Sequence, residues 1–265
     1  MQSNNNPIGV IDSGVGGLTV IREIQKQLPK ENILYFGDSK NMPYGNKEPE
    51  EIISLTKKMF SFMELQNVKV ILLACNTISS FIEELIPLTE IPVFDIVYPG
   101  CLAAIENNPK EGIGLIATEA TVKSNIYKKT LESLKPEFCL YSNGSRDLAK
   151  VIEKNNGDQS QLNFTIKSAI DPILKKASID NLILGCTHYP IVSKNISKLY
   201  PQLKLIDPAK KLVEIVKHFL EKNHLLASNS NTKLNIYTSG SMENFLPFID
   251  QLEIKNYNIM VKELD

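Results

Sequence analysis

Two cysteines close apolar runs in similar company. Cys75 follows Leu72-Leu73-Ala74 and precedes Asn76-Thr77; Cys186 follows Ile183-Leu184-Gly185 and precedes Thr187-His188. A cysteine in that position is ordinarily a small buried hydrophobe. Two in matching contexts point instead to thiol chemistry. Each is expected where a strand gives way to a helix, whose N-terminus favours a thiolate. Asn, Thr and main-chain amides just beyond can hold a carboxylate. Two opposed thiols suit 1,1-proton transfer at a carbon stereocentre. One thiolate removes the proton from one face, and the other thiol delivers a proton to the opposite face. The α-proton of an amino acid is far less acidic than a thiol, so oriented donors must stabilise the carbanion. Expulsion of water on closure favours the thiolate. Asp12 ends the first strand and is placed to assist Cys75; His188, the only histidine at a strand end, is placed to assist Cys186. His218 and His224 fall on or just past the last long helix, on its solvent side, and are given no catalytic role.

Spacing and composition exclude other chemistries. No Cys-x-x-Cys motif offers a redox pair, and no Cys or His pair has zinc-ligand spacing. Ser13 with Gly14, Gly16 and Gly17 forms a tight turn whose amides can approach a ligand. Thr19 occupies the third position of a dinucleotide fingerprint and no Walker A run exists, so nucleotide binding is not supported. The 265 residues carry 29 basic and 30 acidic side chains, a net charge of −1, without the basic excess of nucleic-acid binders. Hydrophobic residues at 43% and charged residues at 22% are globular composition. Four cysteines are too few and scattered for a disulfide scaffold. Without a secretory signal or a long apolar run, the chain reads as cytoplasmic, with neither membrane nor nucleic-acid partner. Cys101 and Cys139 are read as buried small hydrophobes.

The elements that must position these residues alternate. Strands are expected at 8–11, 32–36, 68–74, 92–97, 112–117, 138–141, 181–185, 204–206 and 234–237. Their continuous apolar runs fit strands covered on both faces, as in parallel sheets. Amphipathic helices are expected at 18–27, 49–66, 79–88, 122–134, 145–155 and 208–222, the last with Asp207 as N-cap and Pro208 at its first position. Polar clusters at 155–160 and 228–232 read as loops. The alternation predicts an α/β fold.

An internal echo divides the chain. Ile8–Ser13 resembles Ile113–Thr118, Val70–Thr77 resembles Asn181–His188, and Val93–Pro99 is loosely matched by Leu203–Pro208. The pattern predicts two similar pseudo-symmetric lobes, each a mostly parallel sheet flanked by helices, with the active site in the cleft between them. Ligands of open α/β sheets sit beyond the carboxyl ends of strands, where each echoed motif places its polar residues.

Ile8–Val20, Pro43-Tyr44-Gly45, Ala74–Thr77, Thr118–Thr121 and Ile183–Pro190 together resemble the signatures of the glutamate racemases, within the aspartate/glutamate racemase superfamily. The match runs in order along nearly the whole chain, and Gly185-Cys-Thr-His188 favours the glutamate branch. The resemblance implies racemisation of L- and D-glutamate without a cofactor or metal, supplying D-glutamate for peptidoglycan. It implies Cys75 and Cys186 as the two bases, with Asp12 and His188 assisting. It places Asp12, Ser13, Asn76, Thr77, Thr118, Thr121 and Thr187 on the substrate's ammonium and carboxylates, and Pro43, Tyr44 and Gly45 at its side-chain end. Glu153 matches a further acidic residue at the site. A homodimer is implied. So is a first lobe of residues 1–97 completed by 208–265, with 98–207 as the second.

Several residues depart from the family pattern: Asn41 stands in place of Arg, Ile78 in place of a small residue, and Ala117 in place of Gly. Asp95 and Tyr98 stand where Gly and Glu or Gln are commoner. Residues 145–153 lack a Cys-Pro-containing apolar stretch. These leave open a racemase for aspartate or another amino acid, and a catalytically silent binder of an acidic metabolite.

Overall fold

The continuous apolar runs form strands paired in parallel, and helices fill the stretches between them. The computed structural model describes residues 3–154 and 157–264. In chain order the elements are β1 (Ile8–Asp12), α1 (Leu18–Gln27), β2 (Ile33–Gly37), α2 (Pro49–Leu65), β3 (Val70–Leu73), α3 (Asn76–Ser79), α4 (Ile82–Leu85), β4 (Val93–Asp95), α5 (Val97–Glu106), β5 (Gly112–Ala117), α6 (Glu119–Lys123), α7 (Ile126–Leu134), β6 (Leu140–Gly144), α8 (Leu148–Glu153), α9 (Gln159–Leu174), β7 (Ile179–Gly185), α10 (Ser193–Leu199), β8 (Lys204–Ile206), α11 (Pro208–Lys222), β9 (Leu234–Thr238), α12 (Leu246–Gln251) and β10 (Tyr257–Val261). Two compact units result: residues 1–96 with 212–265, and residues 97–211.

The first unit holds a six-stranded sheet in the order β10-β9-β2-β1-β3-β4, and the second a four-stranded sheet in the order β6-β5-β7-β8. All pairings are parallel. The echo now has a structural meaning. The order β2-β1-β3-β4 repeats as β6-β5-β7-β8, and the echoed segments occupy the same positions in each sheet. Every residue of β1, β2 and β3 is buried, as strands covered on both faces require. In the second unit β6 is an edge strand, and each of its residues is only partly buried.

Helix positions follow apolar spacing. Leu18, Val20, Ile21 and Ile24 form the buried stripe of α1. Pro49 opens α2, and Ile52, Met59, Phe60 and Met63 face its core. Asp207 accepts a hydrogen bond from the Ala209 amide at the start of α11 (3.0 Å).

The structure corrects several expectations. The helix expected at 79–88 is three short pieces, α3, α4 and a 3-10 turn at Ile86–Leu88 with Pro87 at its second position. The one expected at 122–134 breaks at Asn125, whose φ of 57° ends α6 and starts α7. The polar run 155–160 is not simply a loop. Residues 155 and 156 lie outside the described residues, and Asp158 caps α9 through the amides of Ser160 and Gln161. Cys139 is exposed rather than buried, whereas Cys101 is fully buried. No helix among the described residues is long and apolar enough to cross a membrane.

Candidate active site

In the first unit the site begins where β1 ends. The Asp12 carboxylate is fully buried and accepts hydrogen bonds from the amides of Gly14 and Gly17, both at 3.1 Å. The glycine turn is thus wound around this carboxylate. A side chain at Gly17 would come within 2.7 Å of the Asp12 Cβ and 2.8 Å of the Tyr35 ring, so only glycine lets the turn approach so closely. Beside β1, β3 runs in register, with Ile11 opposite Leu73, and delivers Cys75 just past its end. Cys75 is 6% exposed, and its thiol donates to the Ser13 hydroxyl at 3.5 Å. Asn76 and Thr77 follow in α3, both buried.

The Pro43-Tyr44-Gly45 turn packs on the same cluster: Tyr44, Cys75 and Ile78 share one apolar core. Pro43 is exposed, Tyr44 buried and Gly45 half-buried. The turn is held by Asp38, which follows β2. Its carboxylate accepts from the Tyr44 phenol (2.6 Å), the Asn41 amide (3.0 Å to each oxygen) and the Ser239 hydroxyl (2.5 Å). Asn41, where the family pattern has Arg, therefore serves the same acidic partner as the tyrosine. Burial and the adjacent carboxylate push the Tyr44 phenol well above its usual range, so it stays a donor.

In the second unit the pattern recurs with different chemistry. Ala117 at the end of β5 lies opposite Gly185 at the end of β7, so Thr118 and Cys186 leave adjacent strands. The Thr118 hydroxyl caps α6 by accepting from the Thr121 amide (3.2 Å), and the two hydroxyls lie 2.9 Å apart. Thr121 and Thr187 are buried. Cys186 is 6% exposed, with its sulfur 3.7 Å from His188 Nδ1. His188 Nε2 lies 2.6 Å from Glu153 Oε1, brought in by α8. Burial alone would push the imidazolium down. The hydrogen bonds and charges of Cys186 and Glu153 outweigh it and hold His188 well above its ordinary 6.5. Protonated, the ring donates to the carboxylate on one side and to the sulfur on the other.

Neither thiol stands at the N-terminus of the long helix that the strand-end reading expects. Cys75 caps a helix of only four residues, and Cys186 is followed by a 3-10 turn at Tyr189–Val192 before α10. Neither has the summed dipole of a long helix behind it; neighbouring side chains surround the thiols instead. His218 and His224 are exposed. Tyr35, Asp38 and Ser239 escaped the sequence reading. Asp38 follows the same strand-end rule as Asp12 and was within reach of it. Ser239 joins the site from 201 residues away, with no local signal. Asp95 ends edge strand β4 and is half-buried. Among the described residues, no group of three or more His, Cys, Asp or Glu side chains is arranged to hold a metal ion.

Residues 8–216 match the model of the Asp/Glu/Hydantoin racemase family. "Glutamate racemase 1" of Caldanaerobacter subterraneus subsp. tengcongensis is 35% identical, with 98% of each chain covered. A crystal structure of a glutamate racemase isoform from Bacillus anthracis matches with a TM-score of 0.93 at 36% identity, covering 98% of each chain. A glutamate racemase of Francisella tularensis subsp. tularensis, solved in complex with D-glutamate, matches with a TM-score of 0.90 at 33% identity, covering 99% of each. On these matches, the chain belongs to the Asp/Glu/Hydantoin racemase family as an amino-acid racemase of its glutamate racemase branch.

Proposed function

We propose that the protein interconverts L- and D-glutamate by two-thiol proton transfer at Cα. One observation carries this reading: each unit places a buried cysteine beyond the same strand of its sheet, beside its own polar assistants. In the L-to-D or D-to-L direction, one cysteine enters as thiolate and takes the α-proton, while the other enters as thiol and protonates the carbanion from the opposite face. The roles exchange for the other enantiomer. Asp12 and Ser13 serve Cys75. His188, backed by Glu153, serves Cys186 by exchanging a proton with the sulfur as it cycles.

Asn76, Thr77, Thr118, Thr121 and Thr187 offer the amides and hydroxyls that bind the ammonium and α-carboxylate. The Pro43-Tyr44-Gly45 turn meets the side-chain carboxylate. Donors converging on the α-carboxylate stabilise the carbanion's charge, so the thiols need no cofactor. The D-glutamate serves peptidoglycan synthesis in the cytoplasm, and the working form is a homodimer, with residues 1–97 and 208–265 forming one lobe and 98–207 the other.

The test is exchange of the glutamate Cα proton in D₂O with no cofactor added. Exchange and racemisation are expected with wild type, and Cys75→Ser and Cys186→Ser should each lose at least about a thousandfold in racemisation. Full activity in either variant refutes the mechanism. Activity on aspartate but not glutamate moves the substrate, and binding without exchange of any amino acid leaves a silent binder.

A further inference from the structure

Beneath the glycine turn of the first unit lies a tyrosine that the racemisation chemistry does not use. Tyr35, from β2, is fully buried, and its hydroxyl donates to the Gly14 carbonyl at 2.5 Å. The same hydroxyl lies within 2.8 Å of where a Gly17 side chain would begin. Gly14 and Gly17 are the two residues whose amides hold the Asp12 carboxylate. On its other side the Tyr35 ring meets Phe245 edge-on, with centroids 6.3 Å apart. The phenol is pushed up first by burial, then by the charges of Asp12 and Cys75, and also by a hydrogen bond to the Asp12 side chain. It therefore remains a protonated donor.

A buried hydroxyl joined to a carbonyl is often no more than a satisfied polar group. This one binds the turn between the two amides that orient a carboxylate, beside one thiol. We infer that Tyr35 is a positioning residue for the Cys75 half of the reaction: its hydroxyl fixes the Gly14–Gly17 turn, which aims Asp12 and Ser13 at Cys75. It touches neither substrate nor thiol. The inference rests on the two-thiol reading and adds a directional consequence to it.

The consequence follows from symmetry. Free L- and D-glutamate are equal in energy, so loss of the hydroxyl must lower kcat/KM equally in both directions. The damage is nonetheless confined to the Cys75-side transfer, and isotope effects reveal it. With 2-deuterated glutamate in ordinary water, the primary effect reports removal of the α-proton. For the enantiomer deprotonated by Cys75, Tyr35→Phe makes that step more limiting and the isotope effect rises. For the other enantiomer, the slowed step becomes reprotonation from Cys75, and the isotope effect falls. The expected loss in kcat/KM is about tenfold, the scale of one buried hydrogen bond, with KM changed less than about twofold.

Phe245→Leu serves as the packing control, since it loosens the Tyr35 ring but keeps the hydroxyl. It is expected to lower Tm without driving the two isotope effects apart. Isotope effects that stay matched in Tyr35→Phe, a loss under about twofold, or the same divergence in Phe245→Leu would overturn the assignment. If instead Cys75→Ser racemises normally, the two-thiol reading itself fails, whatever Tyr35→Phe does.

Discussion

Replacing Glu153 with Gln isolates the charge that holds His188 protonated. The side-chain amide can still accept from Nε2 at the observed 2.6 Å, so shape and hydrogen bond survive. What disappears is the negative charge beside a ring only 5% exposed, supplied by a carboxylate 21% exposed. A hydrogen bond to a charged partner contributes about 1.5–3 kcal/mol and a neutral one about 0.5–1.5, so the loss is about 1–2 kcal/mol. Its pH dependence is fixed by sign. His188 titrates higher in the folded protein than its ordinary 6.5. The stabilisation is therefore complete below the unfolded value and fades as pH rises through the folded one. Wild type should thus exceed Glu153→Gln by about 1–2 kcal/mol below about pH 6.5, with the gap closing in alkali. Urea unfolding of both proteins across this range reads the gap, and NMR of the His188 ring protons reads the titration directly. The variant's ring should titrate closer to 6.5. Its kcat should fall most on the alkaline side, where the unassisted imidazole loses its proton first. A gap that is constant with pH, or an unmoved His188 titration, would refute the assignment of Glu153 as the charge partner.

Two further perturbations test the frame. Lys69 and Glu31 form an ion pair at 2.5 Å with side chains 0% and 2% exposed; the ammonium also donates to the carbonyls of Asn4 and Leu225, and the Ala227 amide donates to Glu31. Glu31→Ala leaves that ammonium buried without its counter-charge, and should cost about 3–5 kcal/mol in urea unfolding, whereas a loss below about 1 kcal/mol would show the pair to be dispensable. At Gly185, a Cβ would stand 2.6 Å from Leu115 Cδ1 and 3.0 Å from the Ile116 carbonyl, at the residue that leads into Cys186. Gly185→Ala should cost about 1–3 kcal/mol and lower racemisation with it, read by Tm and exchange rate; normal activity would show that β7 can shift without moving the thiol.

What was legible in the sequence depended on how local the cause was. Strands β1, β2, β3, β5 and β7 announced themselves because burial on both faces writes continuous apolar runs, while the partly covered β4, β6, β8 and β9 still carry short apolar runs. β10 did not: of Tyr257–Val261 only Ile259 is partly covered, and the strand closes the sheet by main-chain pairing to β9. The helix α5 is apolar nearly all round and shows no stripe. α9 carries an apolar stripe in Leu162, Ile166, Ile170 and Ile173, masked in the sequence by the polar run before it and by Pro172 inside the helix. The thiols, Asp12, Ser13 and His188 stood out because strand-end chemistry is written within a few residues. The Asp38–Ser239 bond and the Tyr35–Gly14 bond join residues 201 and 21 apart in sequence, and no periodicity encodes such distances.

The duplication extends to the sheets and stops at the assistants. Both units present a thiol beyond the same strand, and the neighbouring strand supplies a polar residue, Asp12 after β1 and Thr118 after β5. Yet the group on sulfur is a serine hydroxyl in one unit and an imidazole in the other. Glutamate enantiomers are mirror images at Cα, whereas two copies of an L-polypeptide fold are related by rotation and never by reflection. On the proposed two-thiol mechanism, the two faces of Cα therefore cannot meet identical surroundings. Each thiol's environment had to be completed independently: a glycine turn braced by Tyr35 around one, an α8 carboxylate reaching His188 at the other. On the proposed two-thiol mechanism, unequal surroundings make the two proton transfers unequal. Thermodynamics still forces kcat/KM to be the same in both directions. The inequality must then appear in kcat and KM separately, in compensating amounts, and its size measures how differently the two assistants treat the same sulfur.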